Sequence, residues 1–98
     1  MIVFYDLPAS DSEQQREAQR FRKKLMGRGY LSIQKSVYSK LLRNDSMIEN
    51  EMAQIKSLVP EQGTVHALPV SLNTFRGLTA LSGTEFNQSV FSDRILVL

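Results

Sequence analysis

The first eight residues, Met1-Ile2-Val3-Phe4-Tyr5-Asp6-Leu7-Pro8, constrain this chain more than any other stretch. Five apolar residues run without alternation into one acid, and a Leu-Pro pair stops the run. An unbroken apolar run of this length predicts a strand in the middle of a sheet, buried on both faces. Pro8 lacks an amide donor and pushes its predecessor out of the helical region, so the strand must end near Asp6. The carboxylate is thereby carried to the rim of a central strand. A lone acid there is most often a loop cap, but a rigid strand end is also a good scaffold for a site.

Downstream, Ser12-Glu13-Gln14-Gln15 has capping-box spacing, with Gln15 able to reach back to the cap amide. Ala18, Phe21 and Leu25 follow at helical spacing and Gly27 and Gly29 offer an exit, which predicts a helix over Ser12 to Gly27. From Tyr30 to Leu42 the composition turns to strand. Leu31, Ile33, Val37 and Leu41 keep period two, interrupted at Lys35, which fits two short strands or one bent strand. Asn44-Asp45-Ser46 is a second cap region, and Ser46 to Glu49 repeats the box spacing. Ile48, Met52, Ile55 and Val59 then form an amphipathic stripe that Pro60 ends.

Thr64 to Val70 reads as a strand with Val65 and Ala67 on one face and His66, Leu68 and Val70 on the other. Ser71 to Arg76 reads as a helical turn, Gly77 to Leu81 as a short strand, 83–93 as a polar loop, and Arg94 to Leu98 as an apolar terminal strand. The order predicts one α+β domain over residues 1–98, a ferredoxin-like βαββαβ arrangement with extra C-terminal strands. A core this small and a terminal apolar strand that needs cover point to a homodimer.

The net charge of +2 conceals a strong asymmetry. Nine of the twelve Lys and Arg residues lie between Arg16 and Arg43, where Glu17 is the single acid. Segregated positive charge of this density suits a polyanion. The expected contacts are Arg16, Arg20, Lys23, Lys24 and Arg28 on the helix, joined by Lys40. No base-reading motif accompanies them, so backbone contact without sequence readout is expected.

Other chemistries find little support. The chain has no cysteine, so disulfides and thiolate metal sites are excluded. His66 is the one histidine and reads as structural. Ser36, Ser39, Ser89 and Ser92 have no activating base near them in sequence. Gly27-Arg28-Gly29 is too short for a phosphate-cradling loop and follows a helix. One carboxylate does not make a magnesium site, but a twofold dimer that brought two Asp6 side chains together would supply a pair. No apolar stretch is long enough to span a membrane, and the expected setting is cytoplasmic.

Three segments in this order and spacing resemble the CRISPR-associated protein two family: Phe4-Tyr5-Asp6-Leu7-Pro8, Phe21-Arg22-Lys23-Lys24-Leu25, and Ser36-Val37-Tyr38-Ser39-Lys40-Leu41-Leu42. Members are small non-integrase partners in spacer acquisition. The resemblance covers Met1 to about Val70 well and Ser71 to Leu81 more loosely. It implies a ferredoxin-like homodimer held between two dimers of the CRISPR integrase, with duplex DNA lying across it. Many members are described as magnesium-dependent endonucleases, acting on RNA or DNA through the acid at the end of the first strand. Asp6 matches that position, which implies catalytic and Mg2+-binding roles for it. In spacer acquisition the family member acts as a scaffold, for which the nuclease role is not thought necessary. The competing readings are a standalone magnesium-dependent endonuclease and a ferredoxin-like RNA-binding regulatory or toxin-like module.

Overall fold

The computed structural model describes residues 1–83. Seven elements follow one another: β1 (Ile2–Asp6), α1 (Ser12–Gly27), β2 (Leu31–Gln34), β3 (Val37–Ser39), α2 (Asp45–Lys56), β4 (Thr64–Leu68) and α3 (Leu72–Arg76). The four strands form one sheet in the order β2-β3-β1-β4. Each neighbouring pair is antiparallel. This is the ferredoxin-like arrangement that the order of sequence patterns implied. The terminal strand and the polar loop expected beyond Gly83 lie outside the described residues.

β1 is central, as its apolar run requires, but among the described residues only one of its faces is packed into the core. Val3 is fully buried and Tyr5 packs on the same side, in a core with Phe21, Leu25 and Ile55. Phe4, on the opposite face, is 39% exposed. The expectation of burial on both faces is corrected accordingly. Both long helices contribute to the one core, while the opposite face carries Phe4 stacked on His66 with ring centroids 5.4 Å apart. The alternation on β4 is as expected: Val65 and Ala67 join the core, and His66 and Leu68 are exposed.

α1 spans Ser12–Gly27 as expected, and the capping residues sit one to two positions before Ser12 and Ser46, the serines of the two box spacings. Asp11, not Ser12, caps α1 by accepting from the Gln14 amide at 2.8 Å. Gln14 in turn accepts from the Ser10 amide and hydroxyl, so Gln15 turns to the Ala9 carbonyl instead of a cap amide. Asn44 caps α2 by accepting from the Met47 amide, which leaves the Ser46–Glu49 box unused. An Asp or Asn one or two residues ahead supplies the acceptor that the first free amides need, so the later hydroxyl is redundant.

The segment after α1 resolves into two strands. Lys35 and Ser36 make the turn between β2 and β3, with Ser36 at φ 65°. A β-bulge between Ser32 and Gln34 shifts the register there. Tyr30 and Tyr38 enter the core, while Leu31, Ile33, Val37 and Leu41 are half-buried. α2 ends at Lys56, so Val59 falls outside the helical stripe and is 39% exposed. The helical turn at Ser71 to Arg76 is present as α3, capped by Ser71, and Phe75 is buried. Gly77 to Leu81 does not form the expected strand. Its first amides close the last turn of α3, Gly77 onto Thr74 and Leu78 onto Phe75, and Leu81 stands 96% exposed. None of the described strands offers this segment a ladder.

Candidate functional site

Asp6 is the last residue of β1, paired in register with Thr64, and its side chain is exposed. By alternation it shares the open face with Phe4. The strand end is held from behind by Gly63, at φ +93°. A Cβ on Gly63 would lie 2.6 Å from the Asp6 carbonyl oxygen and 2.8 Å from Leu7 Cδ2. Only glycine permits this approach of the β4 turn to the site strand. Gly63 thus fixes the position of Asp6. The sequence marked it as a turn residue but gave no sign of what it abuts.

Beside Asp6, Tyr5 points into the core side. Its ring meets Phe21 edge-on at 5.1 Å and stacks on Tyr38 at 6.0 Å. Its amide donates to the Ser36 carbonyl at 3.1 Å, tying β1 to the left-handed turn. Burial first, then the neighbouring Tyr38 hydroxyl, pushes the Tyr5 phenol up to about 12. Tyr5 therefore stays protonated at neutral pH, able to donate a hydrogen bond and unable to serve as a base. Tyr5 and Ser36 lie in the segments that carry the family resemblance, but nothing in their spacing tells that the Tyr5 amide bonds the Ser36 carbonyl.

Asp6 supplies one hard oxygen donor group. Among the described residues no three His, Cys, Asp or Glu side chains gather into a metal cluster. An exposed carboxylate at a rigid strand end fits one half of a magnesium site, since such sites take one or two carboxylates and complete themselves with water and phosphate oxygens.

The cations divide into two groups. Arg16, Lys23 and Lys24 are exposed along α1, and no salt bridge holds them among the described residues. Arg20, also exposed, is bonded to Glu17 at 2.7 Å, one turn away on the same helix. Arg28 and Lys40 are instead brought together by Glu51. Arg28 donates Nε and Nη2 to the two Glu51 oxygens at 2.9 and 3.1 Å, and Lys40 Nζ is 3.5 Å from Oε1. Lys40 also lies over the Tyr30 ring, 5.6 Å from its centroid.

Burial alone would raise the Glu51 carboxyl, but the Arg28 hydrogen bonds and the Lys40 charge outweigh it and hold the group below its usual value. Burial and the Glu51 charge push the Tyr30 phenol up. Sequence reasoning missed Glu51, although a signal was present. It lies three residues after Ile48 and four before Ile55, on the apolar stripe of α2.

The remaining candidates are peripheral. His66 is exposed and stacked on Phe4, and Ser39 is buried in the sheet. Ser89 and Ser92 lie outside the described residues. No helix among those residues is long and apolar enough to cross a membrane.

The profile of the family described as "CRISPR associated protein Cas2" matches residues 1–78. A protein of Streptococcus mutans serotype c (strain NN2025), named CRISPR-associated endoribonuclease Cas2, is 34% identical over 97 residues, spanning 99% of this chain and 91% of that protein. A protein of the same name from Treponema denticola is 32% identical over 98 residues, covering 100% of this chain and 97% of its own. Another, from Ligilactobacillus salivarius, is 30% identical over 88 residues, covering 90% and 87%. With a family profile spanning the whole sheet and relatives matched over nearly their full length, this chain belongs to the CRISPR-associated protein Cas2 family.

Proposed function

We propose that this protein is a homodimeric, CRISPR-associated endonuclease that hydrolyses RNA phosphodiesters through Asp6 and holds nucleic acid on the basic face of α1. The observation that carries the reading is the placement of Asp6: exposed, at the end of the central strand, and backed by a glycine contact that tolerates no Cβ. The relatives' shared name, endoribonuclease, supports RNA as the substrate.

One chain presents one carboxylate, so the reading pairs two Asp6 side chains across a twofold axis. The exposed Phe4 on the same face of β1 gives the second copy apolar surface to cover. A bound Mg2+ would lower the pKa of water and neutralise charge building on the phosphate. Asp6 would hold that cation. The neutral Tyr5 phenol at the neighbouring position fixes the strand by packing, and the α1 cations hold the substrate backbone by charge. The test is cleavage of RNA by Asp6→Asn. Cleavage should disappear while the fold and nucleic-acid affinity persist, and a folded Asp6→Asn protein that still cleaves would overturn the reading.

A second reading rests on a separate observation. Arg16, Lys23 and Lys24 stand exposed on α1, a different element from the one that ends in Asp6. That surface suits duplex DNA backbone whether or not Asp6 is active. It supports a scaffold in spacer acquisition, a homodimer bridging two dimers of the CRISPR integrase with duplex DNA across it. Spacer integration by the reconstituted complex with Asp6→Asn separates the two. Integration that survives loss of cleavage supports the scaffold, and integration lost with cleavage removes it.

A further inference from the structure

The end of the molecule beside Leu7 carries a groove whose chemistry is opposite to that of the basic helix face. Leu7, Val59 and Pro60 form part of its apolar floor, and Glu13, Glu17 and Glu61 stand on its rim. With Asp11, four of the chain's ten acids line this one feature, and no Lys or Arg does, although the chain as a whole is basic. Two of those acids have local work: Asp11 caps α1 and Glu17 is bonded to Arg20. Glu13 and Glu61 are exposed and enter no salt bridge among the described residues.

The groove is built from rigid parts. Its walls are α1 and the turn between α2 and β4, and Gln14 Nε2 donates across to Gln62 Oε1 at 3.2 Å. Gly63, next in that turn, abuts the backbone of Asp6 and Leu7. The space is about 480 Å3, room for a few side chains and not for a docked domain. Val59 is displaced from the helical stripe because α2 stops at Lys56, so an apolar side chain faces solvent here. Nucleic acid would be repelled by this surface, which carries the charge of its own backbone.

We infer that this groove docks a peptide segment of a partner protein in which an apolar side chain is flanked by Lys or Arg. The apolar side chain fills the floor between Leu7 and Val59, and the flanking cations meet Glu13 and Glu61. Charge complementarity selects this occupant, because only a basic segment gains from both rim and floor. The site is independent of Asp6 chemistry, and its failure would leave the nuclease reading standing.

The test is a nuclear magnetic resonance titration of the full chain with three short peptides: lysine alternating with leucine, lysine alternating with serine, and glutamate alternating with leucine. The lysine–leucine peptide should shift the amides of Leu7, Glu13, Val59 and Glu61 saturably. The other two should bind about tenfold more weakly or not at all. Glu13→Gln with Glu61→Gln, both exposed and therefore compatible with the fold, should weaken the lysine–leucine peptide about tenfold. Val59→Ser should weaken it without changing its salt dependence. Binding unaffected by these variants, or equal for the three peptides, would overturn the inference. So would cross-peaks in the free protein showing residues 84–98 in the groove, or concentration-dependent shifts there showing a second copy.

Discussion

Glu51, only 5% exposed, accepts two hydrogen bonds from the guanidinium of Arg28, at 2.9 and 3.1 Å, and joins the end of α1 to the middle of α2. With Lys40 3.5 Å away, the one buried acid among the described residues is matched by two cations from different elements. The pairing changes the meaning of both cations. Arg28 and Lys40 are first of all counterions to Glu51, and only secondarily surface charges.

Removing the acid should therefore act on stability before it acts on binding. Glu51→Gln should cost about 1–2 kcal/mol at neutral pH, since Arg28 keeps an acceptor but loses the charge. The carboxyl is held below its usual value in the folded protein. Its contribution is then present above the ordinary Glu range and is lost as pH falls through the lowered folded value. Urea unfolding of both proteins across pH should show the gap between them closing on the acid side.

Gly63 and Gly27 predict opposite outcomes for the same substitution. Gly63→Ala places a Cβ against the Asp6 carbonyl at a backbone conformation that side chains rarely adopt, and should cost about 3 kcal/mol. Gly27 ends α1 with open space within 4 Å of where a methyl would stand, so Gly27→Ala should be neutral or stabilising by about 0.5 kcal/mol. Thermal unfolding distinguishes them. RNA cleavage should fall with Gly63→Ala even where the protein is folded, because Asp6 is displaced.

The division of the cations predicts how binding responds to salt. If about three phosphates are neutralised per protomer, a dimer should show a log K against log salt slope of roughly −5. Arg16→Ala with Lys23→Ala should flatten that slope and weaken unrelated sequences alike, with little effect on unfolding. Arg28→Ala should do the reverse, lowering stability more than it alters the slope. Fluorescence anisotropy over a salt series, read beside denaturation, checks both.

The two long helices, β1, β4 and the position of Asp6 were legible because each rests on a local signal: helical spacing through Phe21 and Leu25, period two in Val65 and Ala67, Pro8 after the apolar run. The pattern from Tyr30 to Leu42, in contrast, fitted one bent strand as well as the two observed. What escaped depends on which surface lies opposite. The run Ile2 to Tyr5 is apolar throughout, yet Phe4 faces away from the helices, and no local pattern distinguishes that from burial. Gly77 to Leu81 has strand composition but no strand beside it in the described sheet. The six helix and strand cations look equivalent in sequence. Only the folding of α2 against α1 reveals that Arg28 and Lys40 share Glu51.

The central claim is that two Asp6 carboxylates from two copies make one hydrolytic site. Mixing wild-type protein with an equal amount of Asp6→Asn protein, refolded together so that protomers exchange, tests it directly. If both carboxylates are required, RNA cleavage per total protein should fall to about a quarter of the wild-type value, the share of dimers with two intact acids. Cleavage at about half the wild-type value would show that each Asp6 acts alone, and the paired site would be wrong.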